Sequence, residues 1–116
     1  MDITDDFMKS MLGKARLYTV AHMQPGPRYE APGARSSAVA ELVWAHGRRN
    51  FELRAAGQIA LVGPADPGGE FLGMAVFATS REETTVLLDQ DPAVVAGVFT
   101  YRLTAWWSFP GDALPA

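Results

Sequence analysis

Gly57-Gln58-Ile59-Ala60-Leu61-Val62-Gly63-Pro64-Ala65-Asp66-Pro67-Gly68-Gly69-Glu70-Phe71-Leu72-Gly73-Met74-Ala75-Val76-Phe77-Ala78-Thr79 is the stretch that decides the fold. Two runs of strand-forming residues, Gly57 to Gly63 and Phe71 to Thr79, flank a turn rich in proline and glycine, and the whole reads as a β-hairpin. Upstream, Ser36 and Ser37 cap a helix that runs to about Ala56, with Gly57 as its stop. Downstream, Ser80 followed three residues on by Glu83 is a capping-box pattern. It opens a second helix through about Gln90, and Pro92 to Ala96 adds a short helical turn.

Working outward, Arg16 to Met23 is rich in strand formers and stops at Gln24-Pro25-Gly26-Pro27. Val98 to Trp107 forms the last strand. The order β-α-β-β-α-β is the ferredoxin-like split unit, an α+β fold with a four-stranded antiparallel sheet covered by helices on one face. Strand three is apolar on both sides, and strand four carries Phe99, Tyr101, Leu103 and Trp107 on one face with Val98 and Trp106 on the other. The bare face therefore needs a partner. Two such sheets stacked face to face, the arrangement known as a dimeric α/β barrel, would bury both apolar sides and leave a cavity beside the helices or between subunits.

One domain accounts for all 116 residues: a helical extension over 1–15, a core over 16–107 and an arm over 108–116. In the extension, Thr4, Asp5 and Asp6 precede Phe7, Met8, Met11 and Leu12, so a capping residue and dipole-favoured acids lead an amphipathic helix. The segment from Gln24 to Gly33 holds three prolines and two glycines and reads as a loop, either a lid or a plain surface excursion; the break extends to residue 35. The net charge of −3 gives no electrostatic footprint for nucleic acid. Without cysteine there is no disulfide, thiolate nucleophile or cysteine-held zinc. The acidic N-terminus does not suit a secretory signal and no apolar run reaches membrane-spanning length, so a cytoplasmic protein with no membrane association is expected.

Only two histidines are available for proton handling. At 100° per residue, Val39, Leu42, Val43, Asn50 and Leu53 all lie within about 60° of His46, which places the imidazole on the stripe that packs on the sheet. Trp44 and Phe51 fall on the opposite face.

Several further features act in combination. They are Leu17-Tyr18 in the first strand, His46 with Gly57 eleven residues on, and Gly63-Pro64 closing the second strand. With them go Asp91-Pro92-Ala93-Val94 followed by Ala96-Gly97, and the closing Tyr101-Arg102-Leu103 to Trp106-Trp107. From about Leu17 to Trp107 the chain resembles a YCII-related protein of the dimeric α/β-barrel group. The resemblance implies that His46 and Asp91 correspond to the family's catalytic His–Asp pair and that Gly63-Pro64 lines the adjacent pocket. It implies a homodimer, and dehalogenation or isomerisation of intermediates of aromatic degradation; the leading expectation is a small cofactor-free lyase, isomerase or dehalogenase acting on a small carbonyl-bearing substrate. The chain departs from compact members in its N-terminal helix, its longer proline-rich loop and its C-terminal arm.

On this reading His46 is a general base that becomes a general acid. The same residues also fit a core histidine and a turn-capping aspartate. His22 shares a strand face with Tyr18 and Val20, either beside a ligand or within an interface. Arg102 is a candidate to hold a substrate carboxylate or to pair with an acid, and Trp106 or Tyr101 to stack on a flat substrate. The sequence has no metal-ligand constellation and no serine in a nucleophile-elbow context. Alternatives to the enzyme are a non-catalytic ligand-binding or oligomerisation module and a cofactor-free monooxygenase-like barrel.

Overall fold

A computed structural model describes all 116 residues. Eight elements follow one another: α1 (Asp5–Lys14), β1 (Arg16–Pro25), α2 (Ser37–Ala55), β2 (Ile59–Pro64), β3 (Gly73–Phe77), α3 (Arg81–Asp89), α4 (Pro92–Val95) and β4 (Phe99–Ser108). The four strands form one antiparallel sheet in the order β2-β3-β1-β4, as a ferredoxin-like fold requires.

The helices begin and end for local reasons. Ser36 Oγ accepts from Val39 N at 3.3 Å to start α2, which ends where Gly57 takes a positive φ of 79°. Ser80 and Glu83 make the full reciprocal capping box of α3. Thr4 caps α1, whose first turn holds Asp5 and Asp6. Several strand boundaries move from expectation. β1 runs on to Pro25 because β4 pairs with it along its full length, β2 starts at Ile59 rather than Gly57, and β3 is confined to Gly73–Phe77, shorter than its apolar run at both ends.

Alternation along the strands sends Ala21, Met23, Ala75, Phe77 and Phe99 to one side. There they meet Val39 and Leu53 of α2, Leu88 of α3 and Ala93 of α4 in a single core. Phe77 is wholly buried, and its burial is worth about 1.5–3 kcal/mol. The core is small, with 16 residues buried, and the other sheet face has no helix against it. By register, Tyr18, Val20, His22, Met74, Val76 and Arg102 share that uncovered face. α1 buries no residue and leaves Phe7, Met8 and Leu12 exposed.

β1 and β4 pair over ten residues, β1 and β3 over five. The surplus projects as a two-stranded ribbon with Tyr18 opposite Trp106 and Leu17 opposite Trp107, and both tryptophans are exposed. Trp44, on the outer face of α2, is exposed as well, whereas Phe51, expected on that same face, is exposed at the edge of the space between α2 and the sheet that His46 also borders. No helix is long and apolar enough to cross a membrane.

Candidate active site

His46 sits mid-way along α2 on the stripe facing the sheet, and Asp91 sits at the turn between α3 and α4. Helix packing brings them together: His46 Nδ1 lies 2.8 Å from Asp91 Oδ1. The aspartate is 2% exposed and the histidine side chain 13%. Asp91 Oδ2 accepts from Ala93 N at 3.0 Å and Val94 N at 3.2 Å, which caps α4. With that oxygen committed, Oδ1 is left to accept, so the proton between the two side chains belongs on Nδ1 and the Nε2 lone pair is available. Asp91 thus caps a turn and orients an imidazole with the same carboxylate.

Around the ring, Phe99 stands edge-on at 4.9 Å between centroids, and the Nδ2 amide of Asn50, one turn along α2, lies 3.3 Å from Nε2. The ring borders a cavity of about 820 Å³ between α2, the sheet, the 26–36 loop and the β2–β3 turn. Its lining is mainly apolar, including Met23, Val43, Leu72 and Phe99, with His46, Asn50, Arg35 and Asp66 as polar exceptions. That is the usual make-up of a small-molecule site: apolar walls with a few placed polar groups.

The 26–36 loop that walls the cavity is fastened at both ends. Gly26 N donates to Val98 O at 2.8 Å and Arg28 N to Gly97 O at 2.9 Å. A Cβ on Gly26 would lie 2.3 Å from the Gly97 carbonyl oxygen, so only glycine permits this crossing, and Gly97 itself has a φ of 81°. At the other end, Glu30 Oε1 accepts from Ser36 N at 2.7 Å and Ser36 Oγ at 2.9 Å. Those bonds, the backbone one foremost, hold the Glu30 carboxyl below the usual carboxylate range. Between the anchors Tyr29 packs on Phe99 at 6.3 Å.

Gly63 and Pro64 line the cavity with His46. His22, Arg102 and Trp106 do not; all three lie on the uncovered sheet face, where His22 pairs in register with Arg102. His22 packs on Phe71 at 4.5 Å, its Nε2 lies 3.4 Å from Thr104 Oγ1, and its Nδ1 is buried without a partner. Tyr101 donates to Asp89 Oδ1 at 2.6 Å, and burial together with that carboxylate pushes its phenol up to about 12. Arg35, Tyr29 and Asn50 are cavity residues to which sequence reading gave no role. Asn50 carried the available signal, i+4 from His46 on its stripe. No group of three His, Asp or Glu side chains is placed to hold a metal ion.

No protein-family model and no curated protein matches this chain. Among solved structures, it is similar to 5-chloro-2-hydroxyhydroquinone dehydrochlorinase from Burkholderia phenoliruptrix AC1100 in complex with 2,5-dihydroxybenzoquinone. The TM-score is 0.53 at 21% identity, over 78% of this chain and 93% of that one. A protein of unknown function from Rhodopseudomonas palustris aligns over 97% of each chain at 15% identity and a TM-score of 0.34. The likeness to the Burkholderia protein, a dimeric α/β-barrel structure, is one of fold.

Proposed function

We propose that this chain is a small, cofactor-free enzyme of the YCII-related type, in which His46 moves a proton and Asp91 holds it in the working orientation. The observation that carries this reading is the 2.8 Å Nδ1–Oδ1 contact at the wall of an apolar cavity, with the second Asp91 oxygen tied to backbone. Such a pair aims Nε2 at the cavity and steadies the positive charge that develops on the ring when it accepts a proton. The substrate is a small carbonyl-bearing or aromatic-derived compound. Its acidic proton passes to Nε2. The electron pair left behind then expels a leaving group such as halide, a lyase or dehalogenase outcome, or His46 returns the proton at another carbon, an isomerase outcome. The Burkholderia dehydrochlorinase, bound to a flat oxygen-bearing ring, supports this choice of chemistry for the fold.

The working unit in this proposal is a homodimer, because the sheet face bearing Met74 and Val76 has no helix packed on it within one chain and leaves Met74 exposed. The test is a screen of halogenated hydroquinones and 2-oxo acids in deuterium oxide, following halide release and deuterium entry by NMR. Wild-type turnover should fall about 10²- to 10⁴-fold in His46→Ala. Equal turnover in that variant rejects the general-base role. A binding-only module is the second reading, favoured by the hold of the Asn50 amide on Nε2; saturable binding across the screen with no turnover selects it.

A further inference from the structure

We infer that Arg35 anchors a carboxylate on the ligand of this cavity, so that the natural ligand is a flat, conjugated organic acid. The inference deepens the proposed function and rests on it for the identity of the site, though not for catalysis. Arg35 is the one arginine or lysine among the cavity-lining residues. Its Nε donates to Glu30 O at 3.0 Å, which fixes the guanidinium while its terminal nitrogens make no hydrogen bond or ion pair with the protein. Glu30, the nearest acid in sequence, has its Oε1 on Ser36 instead. A planar fork held in place with donors to spare is suited to bidentate capture of a carboxylate.

The path from Arg35 to His46 is aromatic throughout. The guanidinium carbon stands 5.9 Å from the Tyr29 ring centre, Tyr29 lies 6.3 Å from Phe99, and Phe99 lies 4.9 Å from His46. A ligand with its acid on Arg35 and its reacting end at Nε2 lies along this aromatic path, which favours a flat π-system. Arg102, the arginine that stood out in sequence, lies on the far face of the sheet.

The experiment is a chemical-shift titration of the full chain with benzoate and cinnamate, each against its neutral amide of the same shape. Both acids should bind at least about tenfold tighter than their amides, about 1.4 kcal/mol. Arg35→Met should erase that preference, Arg35→Lys should keep part of it, and Arg102→Met, on the far face of the sheet, should leave it in place. Arg35→Gln, which retains a donor for the Glu30 carbonyl, takes the place of Arg35→Met if the latter fails to fold. Equal affinity for acid and amide, no binding by either acid, or a preference that survives Arg35→Met overturns the inference. Because the readout is binding, a wild-type preference for the acids that Arg35→Met erases, in a protein that turns nothing over, would leave this inference standing while the catalytic reading fell.

Discussion

Asn50 stands one helical turn beyond His46, and its amide nitrogen lies 3.3 Å from Nε2, the atom that must be free to take a proton. At that length the bond is weak, a hold that a substrate hydroxyl or carbonyl can replace. Removing it should unmask the base. In Asn50→Ala, modification of His46 by diethyl pyrocarbonate should speed up about two- to tenfold, as loss of a bond worth about 0.5–1.5 kcal/mol implies. Peptide mapping separates His46 from His22, and an unchanged rate would show that the amide does not restrain the ring.

Asp91 offers a sharper separation of roles, because one oxygen serves the turn and the other the imidazole. Asp91→Asn keeps an oxygen that can cap α4, but its amide donates where the carboxylate accepted, which favours the wrong imidazole tautomer. Melting should change little while turnover falls by about 10⁴-fold, the scale of such a tautomer error elsewhere. Asp91→Ala should also cost stability, about 0.5–2 kcal/mol for the cap alone. Unimpaired turnover in Asp91→Asn would make the pair structural.

The strand and helix order was legible because each boundary is a local signal: the Ser36 and Ser80 caps, Gly57 and the proline-rich turn act within a few residues of themselves. His46 was placed on the inward stripe by periodicity alone. Arg102 and His22 pointed elsewhere because strand alternation separates two faces without saying which one the helices cover. Ala21 and Met23, a residue either side of His22, are both in the core, and that settles the question only once the fold is assembled. Gly26 was illegible for a different reason, since its requirement comes from a carbonyl 71 positions away in sequence. Arg35 lay in a stretch read as a loop, where nothing local marks an arginine as facing inward.

Two glycines should respond to alanine with opposite signs. Gly26→Ala drives a methyl group into the Gly97 carbonyl and should destabilise by about 1–3 kcal/mol. Gly47, inside α2 and bordering the cavity, has nothing within 4 Å of an added Cβ, so Gly47→Ala should stabilise by about 0.5–1 kcal/mol. Urea titrations of both variants provide the check, and a destabilised Gly47→Ala would mean that α2 is bent there for a purpose.

Tyr101 gives the fold an alkaline limit. Its folded phenol titrates at about 12, against about 10 for a free tyrosine. The folded chain therefore holds a proton that the unfolded chain releases between those values. This stabilisation is complete below about pH 10 and is lost as pH rises towards about 12. Tyr101→Phe should flatten that part of the stability profile, measured by denaturant midpoint against pH, and an identical slope would assign the loss to other groups.

The uncovered sheet face makes a prediction about assembly. Val76 lies near its centre, paired with Val20 of β1. Wild-type protein should sediment as a dimer at micromolar concentration and Val76→Asp as a folded monomer, since a carboxylate buried between apolar sheets has no compensating partner. A wild-type monomer would contradict the dimer.

Because the loop walling the cavity is pinned near Gly26 and again near Ser36, only a short bridge around Ala31 to Ala34, closed by a single backbone bond of 3.0 Å, hangs free between the pins. New sequence spliced into that bridge would redraw the rim that incoming molecules meet, while the imidazole and its acid stay where two helices hold them. Residues 31–34 are thus the natural graft point for retuning selectivity by design.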